Sequence, residues 1–200
     1  MRYSLLIILV VGLFSCKNDT GAASFDSVEG KYVQSVGRNT IQFEDGTTYT
    51  FPKDTSTKIV YLTRHAEKDT AVQNNPVLSK EGEQRASNLR HILQGTPLDK
   101  IFSTMYNRTI FTVSNIAGAK GLNIEPYKPA GMRKLGEDIR SGQLGKRFLI
   151  VGHSNTTRSM ANVLVEENYF DKGIEEDDYD NFIVVILTGD KKEILSLKYK

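Results

Sequence analysis

Apolar residues occur in short, nearly continuous runs that alternate with polar loops and with segments of helical spacing. Four of these runs are predicted strands, at residues 59–63, 100–103, 148–152 and 182–187. All but the second are almost wholly apolar, which is typical of strands buried on both faces of a sheet. The alternation of strands and helices predicts an α/β fold, a three-layer α/β/α sandwich with a mainly parallel sheet. A last strand, at 193–198, is predicted to be an antiparallel edge.

Three segments that follow strands are predicted to be helices. The first has Ser79 as its N-cap and apolar residues, including Leu89 and Leu93, along one face. The second is predicted to follow Thr104 and the third to follow His153. Each of these helices can cover one face of the sheet.

Before the first of these strands, apolar and polar residues alternate over residues 40–51, on both sides of Asp45-Gly46. This pattern predicts a β-hairpin. A two-residue loop would set Phe43 opposite Thr48, whereas a three-residue loop would set it opposite Tyr49. We expect the second register because it gathers the apolar side chains on one face.

The N-terminal residues have the pattern of an export signal. Arg2 precedes an apolar stretch, 5–14, that is too short to span a bilayer as a mature helix. The stretch ends Leu13-Phe14-Ser15-Cys16, which resembles the bacterial lipobox, whose cysteine receives lipid. Cys16 is the only cysteine of the chain, so disulfides contribute nothing. An ordinary signal peptide with an incidental thiol is the alternative, but we expect a lipoprotein.

The chain is therefore predicted to divide into four segments. Residues 1–15 are a lipoprotein signal peptide, and residues 16–24, which are small and polar, are a flexible tether. Residues 25–57 form an N-terminal β-hairpin extension, and residues 58–200 form the main domain. The expected location is the bacterial cell envelope, on a membrane surface at the periplasmic or outer-membrane face, with the membrane as a partner through the lipid anchor.

Composition and charge narrow the classes of function. The chain has 200 residues, of which 39% are hydrophobic and 25% charged, which suits one soluble globular domain with a proper core. A net charge of +2 provides no general attraction for polyanions, so we expect no nucleic acid partner. The acidic run at 175–178 is interpreted as a solvated loop without an assigned function.

Polar clusters follow three of the predicted strands, where ligands bind in sheets of this kind. The clusters are Arg64-His65-Ala66-Glu67, the segment 103–108, and Gly152-His153-Ser154-Asn155-Thr156. Taken singly, they could be a solvated loop, a surface ion pair and a helix cap. Together they place two of only three histidines, and two arginines, at strand ends. This convergence predicts an active site.

Two histidines with two arginines suit phosphoryl transfer. The guanidinium groups of Arg64 and Arg108 can hold a phosphate dianion in bidentate fashion and stabilise the charge of its transition state. One neutral imidazole could attack phosphorus while the other donates a hydrogen bond. A zinc site would need at least three protein ligands with a suitable spacing. The third histidine, His91, is predicted to lie on a helix surface, so we expect no metal.

These motifs resemble the histidine phosphatase superfamily, which includes the cofactor-dependent phosphoglycerate mutases and small bacterial phosphohistidine phosphatases. The resemblance covers residues 59–187 and rests on Arg64-His65, on Ser103-Thr104 with Arg108, and on Gly152-His153-Ser154. It implies that His65 becomes phosphorylated, that Arg64, Arg108 and His153 form the phosphate pocket, and that neither metal nor cofactor is needed. Asn155 is a further candidate for phosphate binding. Leu78-Ser79 with Gly82 and Arg85-Ala86 is similar to the start of a helix in this family.

Two departures from the family pattern affect the site. Ala66 stands where the family has glycine, which is acceptable if the backbone there avoids positive φ. The expected acidic residue after Gly121-Leu122 is missing, so the general acid is unassigned. Glu67 is the first candidate, with orientation of the loop or of an arginine as its alternative role. The weaker candidates are Glu125, Glu137 and Asp138.

The expected function is hydrolysis of phosphomonoesters, or of a phosphoramidate, by a metal-independent histidine phosphatase. The substrate is expected to be a phosphorylated small molecule or a phosphoprotein. Mutase activity is not expected, because an exported protein lacks the cytosolic supply of phosphosugar. The alternative is a catalytically inactive phosphate-binding module on the same fold.

Overall fold

The computed structural model describes residues 28–200, so the predicted signal peptide, Cys16 and the tether lie outside the described residues. The strands are β1 (Val33–Val36), β2 (Thr40–Phe43), β3 (Thr48–Thr50), β4 (Lys58–Arg64), β5 (Lys100–Ser103), β6 (Ile124–Pro126), β7 (Arg147–Gly152), β8 (Asn181–Thr188) and β9 (Lys191–Lys198). The helices are α1 (Lys80–Ile92), α2 (Asn107–Lys120), α3 (Met132–Ser141) and α4 (Thr157–Val165), with a short 3-10 helix, Pro129–Gly131, before α3.

The main sheet has six strands in the order β6-β5-β7-β4-β8-β9. The first four of these run parallel, β8 runs antiparallel to β4, and β9 runs antiparallel to β8 at the edge. The predicted α/β fold with a mainly parallel sheet is therefore confirmed, as is the antiparallel edge strand. Strand β6 and helix α3 were not predicted.

Helices cover both faces of this sheet. On one face, α1 and α2 pack with the small N-terminal sheet on side chains that include Ile59 and Tyr61 of β4. On the other face, α3 and α4 pack on side chains that include Val60 and Leu62. Successive residues of a strand point to opposite faces, so a strand covered on both sides must be continuously apolar. No helix within residues 28–200 is long and apolar enough to cross a membrane.

The start of α1 is fixed against the segment that follows His65. The Ser79 side chain accepts a hydrogen bond from the Gly82 backbone N–H at 3.2 Å, as an N-cap does. The Ser79 backbone N–H donates to the Glu67 carbonyl oxygen at 3.0 Å. A Cβ at Gly82 would overlap that same carbonyl oxygen, so only glycine permits this approach. The start of α1, which the sequence predicts, therefore packs against the backbone of the segment that follows His65.

The N-terminal extension forms an antiparallel sheet of three strands, in the order β1-β2-β3. Both registers considered from the sequence are wrong, because Ile41 lies opposite Tyr49. The Phe43 N–H donates to the Thr47 carbonyl at 3.0 Å, and the Asp45 side chain accepts from the Thr47 N–H at 2.9 Å. This local turn, an Asx turn at Asp45, draws Thr47 back beside Phe43.

The apolar side chains of the hairpin nevertheless share one face. The register differs from the preferred one by two residues, and a shift of two leaves every side chain on its original face. The residues concerned are all buried, namely Ile41, Phe43, Tyr49 and Phe51. The packing argument was therefore correct although the pairing was wrong.

Candidate active site

The polar clusters predicted from the sequence meet at one edge of the main sheet. Strands β5, β7 and β4 are neighbours and run parallel, so their carboxyl ends lie together. Arg64 ends β4, and the His65 N–H donates to the Gly152 carbonyl at the end of β7, at 3.0 Å. The ring centroids of His65 and His153 are 5.5 Å apart in a T-shaped arrangement, and Arg108 hydrogen-bonds to His153.

His65 is held as a neutral imidazole with a defined tautomer. Its side chain is buried, with 3% exposure, and its Nδ1 lies 2.8 Å from the Ala66 carbonyl oxygen. A carbonyl can only accept, so Nδ1 carries the proton and Nε2 keeps its lone pair. Burial is the main cause that lowers the pKa of His65 to about 3, and the charges of Arg64 and Arg108 lower it further. His65 is therefore an available nucleophile at neutral pH.

His153 is neutral as well, but its tautomer is the opposite one. Arg108 can only donate, so the contact of 3.3 Å from its Nη2 makes the His153 Nδ1 an acceptor. The His153 Nε2 then carries the proton and donates to the Thr104 hydroxyl at 2.9 Å. Burial, followed by the charges of Arg108 and Arg64, lowers the pKa of His153 to about 4. The N–H group that the sequence analysis expected to donate to the phosphate therefore donates to Thr104 in this structure.

Ala66, which replaces the usual glycine, fits without strain. Among the described residues, the non-glycine positions with positive φ are Asn75 and Glu166, so Ala66 does not need the conformation that favours glycine. Its N–H donates to the Thr112 hydroxyl on α2 at 2.9 Å, and its side chain is buried. This contact connects the His65 loop to α2, the helix that carries Arg108.

Arg64 is buried beneath the acidic run at 175–178. Its Nη1 donates to the backbone carbonyls of Glu175 and Glu176 at 2.8 and 2.9 Å, and to that of Asp178 at 3.3 Å. Its guanidinium also lies 4.2 Å from the centre of the Tyr179 ring. The run is an exposed loop, as the sequence predicts, and its backbone also fixes the guanidinium of Arg64, a contact that the sequence analysis did not predict.

Both arginines keep one buried donor without a partner. The Nε atoms of Arg64 and Arg108 are buried, and neither makes a hydrogen bond within the part of the chain that the structure describes. Buried donors of this kind are rare because leaving them unpaired costs free energy. An oxyanion between the two side chains would satisfy them, which agrees with the predicted phosphate pocket. Residues 28–200 contain no group of three or more His, Cys, Asp or Glu side chains that could hold a metal ion.

Glu67, the first candidate for the general acid, pairs with Arg85. Its two carboxylate oxygens accept from the Arg85 Nε at 2.8 and 3.0 Å, and the Arg85 Nη2 lies 2.8 Å from Oε1. Arg85 also donates to the Tyr199 carbonyl at 3.1 Å. This arrangement favours the alternative role of Glu67, in which it orients the loop after His65.

The three weaker candidates for the general acid lie away from the two histidines. Glu125 pairs with Lys100 at the sheet edge, and Asp138 pairs with Lys134 on the exposed side of α3. Glu137 lines a separate surface cavity between α3 and α4. Within the described residues, none of these carboxylates hydrogen-bonds to His65 or His153.

A carboxylate that the sequence analysis missed lies at the mouth of the pocket. Glu176 pairs with the Arg64 Nη2 at 2.9 Å and accepts a hydrogen bond from the Ser154 hydroxyl. Its side chain is 75% exposed. The hydrogen bond from Ser154, followed by the charges of Arg64 and Lys68, lowers the pKa of Glu176. Glu176 is therefore ionised at neutral pH, where a second anion on Arg64 must compete with it.

Two further residues lie at the edge of the site. Lys68, whose charge lowers the pKa of His153, was not singled out, although it lies only three residues after His65. Asn155, predicted to bind phosphate, is exposed and lines a cleft that begins at Arg108 and His153. The structure places Asn155 beside the pocket, and its binding of phosphate stays a prediction.

Comparison with known proteins supports the family and the fold. Residues 60–129 match the family model described as Histidine phosphatase superfamily (branch 1). No curated protein matches the chain in a sequence search. The fold is similar to that of solved structures, with identities that are too low to show more than the fold.

Three of these structures illustrate the similarity. The alpha-ribazole phosphatase from Shigella flexneri has a TM-score of 0.55 and 12% identity, and the match covers 70% of this chain and 96% of that one. A mutant phosphoserine phosphatase from Entamoeba histolytica, in complex with phosphoserine, has a TM-score of 0.53 and 14% identity, with 68% and 94% covered. The mycobacterial glucosyl-3-phosphoglycerate phosphatase has a TM-score of 0.53 and 12% identity, with 72% and 100% covered. The match over residues 60–129 agrees with the resemblance drawn from the motifs, and the solved structures confirm the fold.

Proposed function

We propose that this protein is a phosphatase that hydrolyses phosphomonoesters, or a phosphoramidate, through a phosphohistidine on His65. The observation that carries the proposal is the state of His65, a buried neutral imidazole whose Nε2 lone pair is free. The unpaired Nε donors of Arg64 and Arg108 support it, since they can hold the phosphate beside that nitrogen. The family match over residues 60–129 is consistent with this chemistry.

The reaction follows from these groups in two displacements. In the first, the His65 Nε2 attacks phosphorus, a P–N bond forms, and the P–O bond to the substrate breaks. The departing oxygen takes up a proton, from a general acid or from solvent, and leaves as the alcohol. In the second, water attacks phosphorus, the P–N bond breaks, inorganic phosphate leaves, and His65 returns to its neutral form. The arginines stabilise the charge on the equatorial oxygens in both steps.

The experiment is phosphate release by purified protein that lacks residues 1–16, across phosphorylated sugars, nucleotides, lipid head groups and phosphoproteins. We expect turnover that persists in EDTA, because the arginines supply the positive charge. His65→Ala should abolish it, whereas His91→Ala, which removes an exposed histidine on α1, should not. Loss of turnover in EDTA that a divalent ion restores would contradict the metal-independent mechanism. Phosphate binding without turnover on any substrate would instead favour an inactive binding module.

We also propose that the protein is anchored in the bacterial cell envelope through lipid on Cys16. The support is the lipobox-like stretch Leu13-Phe14-Ser15-Cys16, which lies outside the described residues. Several acyl chains on one residue would hold the protein firmly, since each buried methylene contributes about 0.8 kcal/mol. Wild-type protein should fractionate with membranes, and Cys16→Ser should not mature normally. A mature wild-type chain that is fully soluble, with an unmodified Cys16, would contradict the anchor.

A further inference from the structure

A cleft opens directly beside the candidate phosphate pocket. It has a volume of about 1020 Å³ and is formed by the loops that follow β5, β6 and β7. Arg108 and His153 line the cleft at its inner end, and both also belong to the phosphate pocket. The volume is at the upper end of that of sites for small molecules, about 300–1,000 Å³. The cleft is therefore placed and sized to hold the group that a bound phosphate carries.

The walls of the cleft are mainly apolar. Met105 and Tyr106, in the loop after β5, are 61% and 47% exposed, which is unusual for large apolar side chains. Facing chain segments contribute Tyr127, Pro129 and Ala130. The Tyr106 ring is fixed in place, because it lies edge-on to His153 at 5.2 Å and beneath the guanidinium of Arg108 at 4.6 Å. The exposed side chains of Met105, Tyr106, Pro129 and Ala130 form one apolar surface beside the pocket.

Besides Arg108 and His153, the polar groups that line the cleft include the exposed side chains of Lys128 and Asn155 and the hydroxyls of Thr104, Thr156 and Tyr127. The Thr104 hydroxyl bonds to the His153 ring, and the Thr156 hydroxyl accepts from the His153 backbone N–H at 2.8 Å. The Tyr127 hydroxyl is buried beside the Thr156 hydroxyl, and Asn155 is exposed. No carboxylate is among the described residues that line the cleft. A sugar or polyol would lose water from several hydroxyls here and regain few hydrogen bonds, which is unfavourable.

We propose that this cleft binds the alcohol part of the substrate, and that this alcohol is hydrophobic, with an aromatic ring as the group that fits best. The proposal rests on the proposed function, because it takes the phosphate to lie at Arg108 and His153. Specificity then comes from the loop after β5 and from the segment between β6 and α3.

The test uses phosphonates, which bind as phosphate esters do but have no P–O bond to the organic group and are not hydrolysed. Affinities of benzylphosphonate and of 2,3-dihydroxypropylphosphonate are measured by calorimetry on the purified full chain, at a pH where both are dianions. Burial of a ring-sized apolar surface predicts that benzylphosphonate binds at least about tenfold more tightly. Equal affinities, or tighter binding of the dihydroxypropyl compound, would overturn the proposal.

Two matched variants locate the preference in the cleft. Met105→Asn removes an exposed apolar side chain from the cleft, and Phe111→Asn removes one of 43% exposure from α2, outside the cleft. Met105→Asn should reduce the preference for the benzyl compound at least about threefold, and Phe111→Asn should keep the wild-type preference. An unchanged preference in Met105→Asn would also overturn the proposal. If no substrate is hydrolysed but the preference persists, the phosphatase proposal fails and the cleft assignment stands.

Discussion

Neutralising Glu176 should strengthen phosphate binding at Arg64. In the structure the Glu176 carboxylate holds the Arg64 Nη2 at 2.9 Å, so a bound phosphate must share this guanidinium with another anion. Glu176→Gln keeps the size of the side chain and removes its charge. The three backbone carbonyls that fix the Arg64 Nη1 are unchanged by this substitution, so Arg64 should keep its position.

The expected size of the effect follows from the exposure of Glu176. Its side chain is 75% exposed, so the medium between the two anions is close to water. At a separation of about 6 Å and an effective dielectric constant of about 60, two unit charges repel by about 0.9 kcal/mol. The second charge of the phosphate increases this repulsion and salt decreases it. The result is about 1 kcal/mol, or a roughly fivefold lower inhibition constant for inorganic phosphate.

The assay is competitive inhibition by inorganic phosphate at fixed ionic strength. Glu175→Gln is the matched control, because it removes one charge from the same run while the Glu175 carbonyl still accepts from Arg64. Its inhibition constant should change less than about twofold, as expected for an exposed charge. A higher inhibition constant in Glu176→Gln would show that the carboxylate holds Arg64 in place. A loss of about 10²-fold or more in kcat for alkyl phosphates would make Glu176 the general acid and refute the reasoning.

The remaining predictions concern the loop after His65 and the histidine itself. Glu67→Gln breaks the pairing with Arg85, so p-nitrophenyl phosphate and an alkyl phosphate should slow by similar factors; a kcat/KM loss of about 10²-fold for the alkyl ester alone would make Glu67 the acid. Gly82→Ala should lower the free energy of unfolding by about 1–3 kcal/mol, because its Cβ meets the Glu67 carbonyl. Gly118→Ala, in open space on α2, should raise it by up to about 1 kcal/mol, and urea unfolding that ranks the two variants the other way would contradict this packing. The folded pKa of His65 is lowered to about 3, so the unfolded chain binds its proton first as the pH falls below about 6.5. Between pH 7 and pH 5 the free energy of unfolding of the wild type should fall by about 1–2 kcal/mol more than that of His65→Asn. An equal fall in both proteins would contradict the buried neutral state.

The strands that position the site could be predicted because burial on both faces leaves a continuous apolar run, as in 148–152. Strand β6 has only three residues, Ile124–Pro126, and its side chains are partly or fully exposed, so it leaves no such run. Helix α3 follows a 3-10 turn, Pro129–Gly131, whose proline and glycine are typical of a loop, so the sequence pattern did not predict the helix. The hairpin register depends on one side-chain turn at Asp45, and alternation of apolar residues does not encode that contact.

The histidines and arginines of the site could be predicted because each follows a strand whose end lies at the same edge of the sheet. The side chains that pair with these site residues could not be predicted, because contacts between distant parts of the sequence bring them together. Glu176 reaches Arg64 across 112 residues, from a run whose composition is that of a solvated loop. Glu67 is near His65 in the sequence, but Arg85, 18 residues further on and one turn into α1, holds its carboxylate. The general-acid role of Glu67 therefore stays a prediction, while its pairing with Arg85 favours the orienting role.

The most direct test of the central claim is to trap the covalent phosphate on His65. Purified protein is mixed with a ³²P-labelled phosphomonoester, quenched within milliseconds, and digested so that the labelled peptide can be identified. The proposed mechanism predicts label on the peptide that contains His65, stable in base and lost in acid, as a phosphoramidate is. His65→Ala should carry no label, while His91→Ala should be labelled like wild type. Label that survives in His65→Ala, or turnover without any labelled protein, would contradict a phosphohistidine mechanism.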